Sequence, residues 1–288
     1  CQDIVGSWYK RPTGWLEINK STANAGISGG NTNYSLSGAK YGIYSGSELI
    51  ETLTTDAKGY AKAGEILEGS YTLKEISASP GFAIDTTAYN VSIKSDKTTT
   101  TSVKEVPKNN PIEIALTKID SETGEGKPQG KATLAGAEFL VKFYAVAPTA
   151  AVDGKTAARS WTLKTDENGI AKLDKEHLVS GDDFYYAADG KTITLPIGKV
   201  VIKETKASTG YLLNSSTFEV KITEEGTVEK LKVYNAPAVT QQVKRGDLEF
   251  VKVKDGSLER LAGIPFKITS LTTGESHIIV TDDNGYAS

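Results

Sequence analysis

One short pattern of residues is written twice in full along this chain and begun a third time. Each copy opens with an alternating apolar strand that ends in lysine, passes a Leu-x-Gly or Leu-Ala-Gly step, and reaches a Thr-Asp turn closed by glycine. The two complete copies add a strand ending in glutamate and a Gly-aromatic pair. The shared landmarks are the lysines Lys20, Lys118 and Lys252, the turn glycines Gly59, Gly169 and Gly285, and the glutamates Glu75 and Glu204. Such self-similarity predicts an array of like domains.

Linkers and turn residues divide the 288-residue chain into four parts. Short alternating strands, separated by Gly, Asn, Asp and Pro turns, predict an all-β chain of tandem Ig-like β-sandwiches. The predicted parts are a lead-in from an upstream region (1–12), domain 1 (13–107), domain 2 (108–237), and a linker with an incomplete domain 3 (238–288). Domain 2 is the longer because of two insertions, near residues 145–159 and 172–195.

Composition narrows the possible functions. The net charge is −3 and no basic stripe is present, so nucleic acid is not an expected partner. No apolar run is long enough to span a bilayer. The two histidines, His177 and His277, lie in different domains, and no catalytic triad order, metal-ligand cluster or phosphate loop is recognisable. We therefore expect no turnover enzyme, no cofactor and no metal site, and we expect both histidines on the surface.

Cysteine occurs once, at Cys1, so no disulfide can form within the chain. Domains outside the cell would then need another source of strength. Cys1 has two interpretations: a reactive thiol or thioester partner of a preceding domain, or a residue left by where this stretch begins. No neighbouring residue supplies an activating base, which favours the second interpretation.

Three polar residues of domain 2 share strand faces with apolar residues. Because residues two apart in a strand lie on one face, Lys118, Glu204 and Asn235 are all predicted to point into the core. Burial favours a neutral amine and a protonated carboxylic acid. A desolvated amine is a nucleophile, so Lys118 is expected to attack the Asn235 carboxamide while Glu204 moves the protons and ammonia leaves. The alternative is a buried Lys118–Glu204 ion pair, with Asn235 in a turn before Pro237.

Several further runs of residues are informative when taken together. They are the strand-lysine openings, Leu-Ala-Gly-Ala-Glu-Phe at 134–139, Thr-Asp-Glu-Asn-Gly at 165–169, Ile202-Lys203-Glu204 with Gly210-Tyr211, and Val-Tyr-Asn-Ala-Pro at 233–237. This combination resembles the CnaB (SpaA-like, prealbumin-like) domains of Gram-positive cell-wall-anchored adhesins and pilins, and domain 3 resembles clostridial-type surface proteins with many such repeats. The resemblance covers nearly the whole chain. It implies a reverse-Ig sandwich with a self-made Lys–Asn isopeptide bond assisted by a glutamate, which here means Lys118, Asn235 and Glu204.

Domain 1 departs from this pattern at its closing strand. Lys20 and the assisting Glu75 match, but Glu105 stands where Asn235 stands when the two domains are aligned on their prolines. A glutamate has no amide from which ammonia could leave, and Asn109 lies beyond the proline. If Lys20 bonds to neither Glu105 nor Asn109, it is expected to form a buried charged cluster with the two glutamates.

The third lysine, Lys252, has no closing strand within the sequence and would need a partner beyond residue 288. A domain without its last strands leaves sheet edges open. We expect this portion to be poorly ordered, domain-swapped, or completed by residues outside the sequence.

Three functions fit these observations. The first is a structural stalk segment of an extracellular surface adhesin, joined to neighbouring domains of the same protein. The second is a pilus backbone subunit, because Val106-Pro107-Lys108-Asn109 resembles the Tyr-Pro-Lys-Asn pilin motif, whose lysine a sortase joins to the next subunit; Lys108 is otherwise an ordinary linker residue. The third is binding of a host matrix protein or glycan by an exposed patch of the domain 2 insertion, formed by Tyr185 and Tyr186 beside Asp182 and Asp183.

Overall fold

The computed structural model describes residues 11–110, 116–223, 239–241, 248–271 and 274–288. Regular structure in these residues is almost entirely strand, which confirms the all-β prediction. The elements of domain 1 are β1 (Thr13–Thr22), α1 (Ala25–Ser28), β2 (Lys40–Ser45), β3 (Glu48–Thr54), β4 (Tyr60–Lys62), β5 (Ile66–Leu67), β6 (Gly69–Ser77), β7 (Ala88–Ile93) and β8 (Thr98–Glu105).

Domain 1 is built from two sheets of four strands each. In one sheet β1 pairs with β4 and β5 on one side and with β8 on the other; the second sheet has the order β3-β2-β6-β7. Apolar side chains from both sheets, such as Leu16, Ile43 and Leu73, form one core. The opening strand β1 runs parallel to the closing strand β8, so Lys20 lies opposite Val103 and Thr22 opposite Glu105.

Domain 2 repeats this plan and adds strands to it. Its elements are β9 (Asn109–Asn110), β10 (Leu116–Asp120), β11 (Glu138–Tyr144), β12 (Arg159–Lys164), β13 (Ile170–Ala171), β14 (Leu178–Gly181), β15 (Tyr185–Tyr186), β16 (Ile193–Pro196), β17 (Gly198–Lys206), β18 (Thr217–Ile222) and β19 (Val239–Gln241). The main sheet has the order β14-β12-β11-β17-β18, and a second sheet has the order β13-β10-β19. The inserted hairpin β15-β16 pairs with β9, so the linker between the domains is part of a sheet.

The two domains meet through the loop that follows β1, residues 23–36, which we call the joint loop. Ile27 of α1 is 1% exposed and packs within the domain 2 core, beside residues such as Phe143 and Trp161. The loop's polar side chains bind domain 2 backbone carbonyls: Asn31 Nδ2 donates to Ile197 O at 2.8 Å, and Asn33 Nδ2 donates to Val146 O at 2.9 Å. The joint loop therefore joins the two domains through both apolar and polar contacts.

Tyr34 of the joint loop also binds the linker between the two domains. Its hydroxyl donates to Lys108 O at 2.6 Å and accepts from the backbone N–H of Ile197 at 2.9 Å. This tyrosine of domain 1 thus binds both the linker residue Lys108 and Ile197 of domain 2.

Domain 3 is represented by β20 (Phe250–Val251), β21 (Pro265–Thr269), β22 (Ser276–Val280) and β23 (Tyr286–Ala287), in two two-stranded sheets. The backbone N–H of Lys252 donates to Gly285 O at 2.7 Å, as Lys20 does to Gly59 O at 2.8 Å. The strand-lysine and turn glycine thus meet as in domain 1. Apolar side chains on its second sheet are exposed, with Ile278 at 72% and Val280 at 56%.

The described residues contain no helix with the length and apolar character needed to cross a membrane.

Candidate functional site

The centre of domain 2 is a lysine buried completely beneath the sheets. In β10 the side chains of Leu116, Lys118 and Asp120 alternate inward, and Lys118 is 0% exposed. Its Nζ lies 3.0 Å from Glu204 Oε1 and 3.0 Å from Ser208 Oγ. Burial lowers the pKa of Lys118, and the hydrogen bond that Lys118 donates to Glu204 only partly opposes this effect. The site therefore favours the neutral, nucleophilic amine more than water does.

Glu204 is held in place independently of the lysine. It lies on β17 opposite Phe139 of β11, and its side chain is 0% exposed. Its second oxygen, Oε2, accepts the backbone N–H of Asn214 at 2.6 Å. The carboxylate is thus anchored at one oxygen and presents the other to Lys118, which is the geometry of a proton carrier.

Two further components of the site repeat between the domains. Ser79 and Ser208 each stand four residues after the site glutamate, and each hydroxyl contacts the site lysine. The aromatic residue of each Gly-aromatic pair covers that lysine, with the ring centre of Phe82 4.9 Å from Lys20 Nζ and that of Tyr211 5.4 Å from Lys118 Nζ. The serines were missed in the sequence analysis, although the recurring Glu-x-x-x-Ser spacing could have identified them.

The predicted electrophile Asn235 lies outside the described residues. The closing strand is described at β19, which lies beyond the predicted end of domain 2 at residue 237. It runs parallel to β10, with Lys118 opposite Val239 and Asp120 opposite Gln241. In domain 1, Glu105 likewise lies opposite the residue two positions after the lysine. By this register, Gln241 takes the strand position that corresponds to Glu105.

Domain 1 brings its lysine to a different carboxylate. Lys20 pairs with Glu105 Oε2, and both side chains are 0% exposed. The hydroxyl of Tyr41 donates to the other oxygen, Glu105 Oε1. Ser79 Oγ accepts from Lys20. A carboxyl group of the closing strand, rather than the glutamate of β6, is therefore the partner of the domain 1 lysine.

Glu75 remains beside this pair as a second buried carboxyl group. Its Oε2 accepts the backbone N–H of Asp85 at 2.6 Å, and its Oε1 is buried without a hydrogen-bond partner. Burial, reinforced by Glu105, raises the pKa of Glu75 to about 8, although the Asp85 N–H and Lys20 act in the opposite direction. Near neutral pH this group holds a proton that it can exchange.

The remaining candidate residues lie away from these centres or on the third repeat. Asn109 is 3% exposed in β9, donates to Pro107 O at 3.1 Å, and accepts the Thr194 hydroxyl at 2.7 Å. Lys108 is half-buried, and its backbone N–H donates to Gly81 O at 2.8 Å. Lys252 is half-buried and directly follows β20.

The prediction that Tyr185 and Tyr186 form an exposed patch was wrong. Tyr185 is 9% exposed because its ring packs against Phe143 and Trp161 and under the guanidinium of Arg159, 3.7 Å from the ring centre. Tyr186 is half-buried, and its carbonyl accepts Asn24 Nδ2 of the joint loop at 3.0 Å. The two tyrosines thus pack into the core and against the joint loop, whereas Asp182 and Asp183 are exposed.

His177 also differs from its expected surface position. It is 8% exposed, and its Nδ1 lies 2.8 Å from Asp174 Oδ1. In the part of the chain that the structure describes, no three His, Cys, Asp or Glu side chains are grouped as metal ligands.

Both complete repeats match a known protein family. The family model of the SpaA prealbumin-like fold domain matches residues 28–107 and again residues 112–237. The chain belongs to this family. Among curated proteins, the trypsin-resistant surface T6 protein of Streptococcus pyogenes serotype M6 is 37% identical over 57 residues, which cover 19% of this chain and 11% of that protein.

A solved structure extends the comparison to most of the chain. The Bacillus anthracis TIE protein superposes with a TM-score of 0.64 at 25% identity, covering 96% of this chain and 42% of that one. BcpA, the major pilin subunit of Bacillus cereus, superposes with a TM-score of 0.41 at 14% identity, covering 95% of this chain and 83% of that one. This SpaA-family chain thus spans under half of the TIE chain and about a tenth of the T6 protein.

Proposed function

We propose that this chain is a structural stalk segment of an extracellular, cell-wall-anchored adhesin of a Gram-positive bacterium, stiffened by a self-made crosslink in domain 2. The observation that carries the proposal is the fully buried Lys118, which lies 3.0 Å from Glu204. A buried ion pair is weak evidence for stability in itself, because desolvation offsets much of its attraction. The same arrangement is well suited to reaction, since it presents a desolvated amine beside an anchored proton carrier.

The reaction proposed for domain 2 is amide exchange within the chain. Lys118 Nζ attacks the side-chain carbonyl carbon of a carboxamide on the closing strand. The new C–N bond forms, the original bond to the amide nitrogen breaks, and ammonia leaves. Glu204 takes a proton from the amine and delivers one to the departing nitrogen, so that it ends as it began. The reaction occurs once per chain, so it does not make the protein a turnover enzyme.

Two carboxamides are candidates for this step. Asn235 is the partner that the sequence motif predicts. Gln241 is favoured by a separate observation, its register opposite Asp120 at the position that Glu105 holds in domain 1. Both residues would lose ammonia on reaction, so the mass of the protein alone does not distinguish them.

A crosslink between positions 118 and 235 would close a loop of about 117 residues. The chain-entropy model assigns about 4–5 kcal/mol to a closure of this size, comparable with the whole stability of a typical domain, about 5–15 kcal/mol. Because the opening strand and the closing strand are neighbours, pulling on the domain ends would load a covalent bond instead of a hydrogen-bond ladder. A surface relative named for trypsin resistance is in keeping with such a domain.

The joint loop is a second observation that supports the stalk role. A stalk must transmit orientation between its domains, and here Ile27 packs within the neighbouring core while Tyr34 binds both the linker and domain 2. Burial of the insertion's Tyr185 removes one surface on which a host ligand would have bound.

Mass spectrometry of the intact, denatured 288-residue chain tests the proposal. We expect a mass one ammonia below the sequence value from domain 2, and a digest in which Lys118 is joined to a closing-strand peptide. Asn235→Ala should restore the missing ammonia, whereas the exposed turn residue provides a control, Asn168→Ala, that should not. If Gln241→Ala restores it instead, the crosslink stands with Gln241 as partner. A full-mass domain 2 with Lys118 open to amine labelling after denaturation would overturn the proposal.

A further inference from the structure

Ser208 places a buried hydroxyl group beside the reactive amine of domain 2. It is 3% exposed and stands in the turn that follows β17, where its Oγ lies 3.0 Å from Lys118 Nζ. In the part of the chain that the structure describes, Lys118 is the only hydrogen-bond partner of this oxygen. The hydroxyl group is therefore committed to the lysine.

The same contact occurs in domain 1, although the lysine there has a different carboxylate partner. Ser79 accepts a hydrogen bond from Lys20, while Lys20 pairs with Glu105 instead of the glutamate on β6. The position of the serine hydroxyl thus follows the lysine and not the carboxylate that pairs with it.

The turn that carries Ser208 is fixed at several points. The backbone N–H of Tyr211 donates to Ser208 O at 3.1 Å, and that of Thr133 donates to Thr209 O at 3.0 Å. The hydroxyl of Tyr211 donates to Asp120 Oδ2 at 3.0 Å. Because the turn is held in this way, the serine hydroxyl needs no further ordering when the reaction begins.

The number of acceptors around Lys118 restricts the direction of its lone pair. A neutral amine has two N–H bonds and one lone pair in a tetrahedral arrangement. Glu204 Oε1 and Ser208 Oγ each lie 3.0 Å from Nζ, so each N–H bond has an acceptor. The lone pair then takes the one direction that remains. With Glu204 as the only acceptor, the amine could rotate about its Cε–Nζ bond and the lone pair would have no fixed direction.

Both acceptors lie on the same side of the amine. Glu204 belongs to β17 of the main sheet, and Ser208 belongs to the turn after that strand. Lys118 belongs to the other sheet, in which β10 pairs with the closing strand β19. The two N–H bonds therefore point toward the main sheet and its turn, and the lone pair points away from them, on the side of the closing strand.

We propose that Ser208 is a positioning residue of the domain 2 reaction, which accepts the second N–H of Lys118 and so directs the lone pair at the closing-strand carboxamide. This role rests on the proposed crosslink of domain 2. No bond to Ser208 forms or breaks: Lys118 Nζ forms the new C–N bond, ammonia leaves, and the protons pass through Glu204. Attack requires the lone pair to be aligned with the carbonyl carbon, so loss of the alignment slows this step.

The test is the rate of crosslinking in the full chain, followed by intact mass after refolding. Ser208→Ala should react about tenfold more slowly than the wild type at the pH at which the wild type is fastest. Ser208→Thr and Ser208→Val form a matched pair, because they share one shape and differ in the hydroxyl group. The threonine variant should react faster than the valine variant. Ser216→Ala, at an exposed position in the loop before β18, should react at the wild-type rate.

The pH dependence of the rate separates positioning from packing. A hydroxyl that accepts an N–H favours the ammonium over the neutral amine, so Ser208→Ala should lower the pKa of Lys118 further. The midpoint of the pH–rate profile should then move to lower pH while the maximal rate falls. Glu204 and Tyr211 face the amine, with Asp120 bound to Tyr211, and none of these groups is changed in the variant. A variant that is slow only because its core is loosened would not combine these two effects.

The outcomes for the serine and for the crosslink can be told apart. A crosslinked wild type with an equally fast Ser208→Ala leaves the crosslink in place and overturns the role of Ser208. A slow Ser208→Ala with an unshifted midpoint, or equal rates for the threonine and valine variants, also overturns that role. A wild-type chain of full mass overturns both proposals.

Discussion

Glu75 and Glu204 occupy the same strand position in the two domains, but only Glu204 is paired with the domain's lysine. Each glutamate accepts a backbone N–H ten residues later at 2.6 Å, from Asp85 and from Asn214. In domain 2 the other oxygen of Glu204 accepts a hydrogen bond from Lys118. In domain 1 the lysine pairs with Glu105 instead, and the other oxygen of Glu75 has no hydrogen-bond partner. The same scaffold therefore supports two different charge arrangements.

This difference predicts a pH dependence of domain 1 that arises from Glu75. The pKa of Glu75 is raised to about 8, so the folded state binds its proton more tightly than the unfolded state does. The stability that this proton contributes is complete below the ordinary glutamate pKa and is lost as pH rises through about 8. We expect domain 1 to lose on the order of 1–3 kcal/mol from this group between about pH 5 and pH 9. Glu75→Gln should flatten that slope.

Urea unfolding at several pH values, followed by hydrogen exchange of domain 1 peptides, measures the effect. Lys20, Glu105 and Tyr41 also face this cluster, so the quantity to compare is the difference in slope between wild type and Glu75→Gln. Burial is the larger cause of the raised pKa of Glu75. Equal slopes for the two proteins would contradict the assignment.

A second prediction concerns the role of Glu204 in bond formation. Glu204→Gln keeps the shape of the side chain but removes its capacity to accept a proton, so the domain 2 crosslink should form at least about a hundredfold more slowly. The matched control is Glu219→Gln on the neighbouring strand, which breaks the 2.8 Å pair between the half-exposed Glu219 and the buried Lys199. Time-resolved intact mass after refolding gives both rates. Equal rates for both variants would argue that Glu204 has only a structural role.

A third prediction distinguishes two glycines that both have positive φ. Gly59, with φ of 79°, closes the turn against Lys20, and a Cβ there would lie 2.3 Å from Lys20 O. Gly46 has φ of 59° and open space around it. Gly46→Ala should therefore cost about 1 kcal/mol from backbone strain alone. Gly59→Ala should cost about 2–4 kcal/mol, because it also pushes the lysine strand out of place.

Thermal unfolding of both variants checks this prediction. Comparable stability losses for the two variants would show that the close approach is relaxed at little cost.

Much of the sandwich could be predicted from the sequence, because its features are local. Period-two alternation identified the inward faces of β10 and β17, and the repeated Thr-Asp-Gly turns located the glycines that bind the lysine strands. The partner of Lys20 was harder to infer, because Glu75 of β6 and Glu105 of β8 both lie near it in one buried cluster. Which glutamate pairs with the lysine depends on the register of β1 against β8, which places Glu105 opposite Thr22.

The joint between the domains could not be predicted from these patterns. Ile27 packs against residues more than a hundred positions later, in a loop without strand periodicity. Tyr185 read as exposed because it stands beside Asp182 and Asp183, yet tertiary packing on Trp161 buries it. Such contacts join residues that are far apart in the sequence, and the segments that carry them lack the period-two alternation that identifies a buried strand face.

The joint yields the last prediction, that a substitution in domain 1 destabilises domain 2. Ile27→Ala removes a side chain that is 1% exposed from the domain 2 core, and a cavity of this kind typically costs about 2–5 kcal/mol. Ile50, which is 42% exposed on β3, provides the control, Ile50→Ala. Hydrogen exchange with peptide resolution should show faster exchange in β11, β12 and β17 for Ile27→Ala but not for Ile50→Ala. An effect limited to domain 1 peptides would mean that the joint loop only rests on domain 2, and that the two domains orient independently.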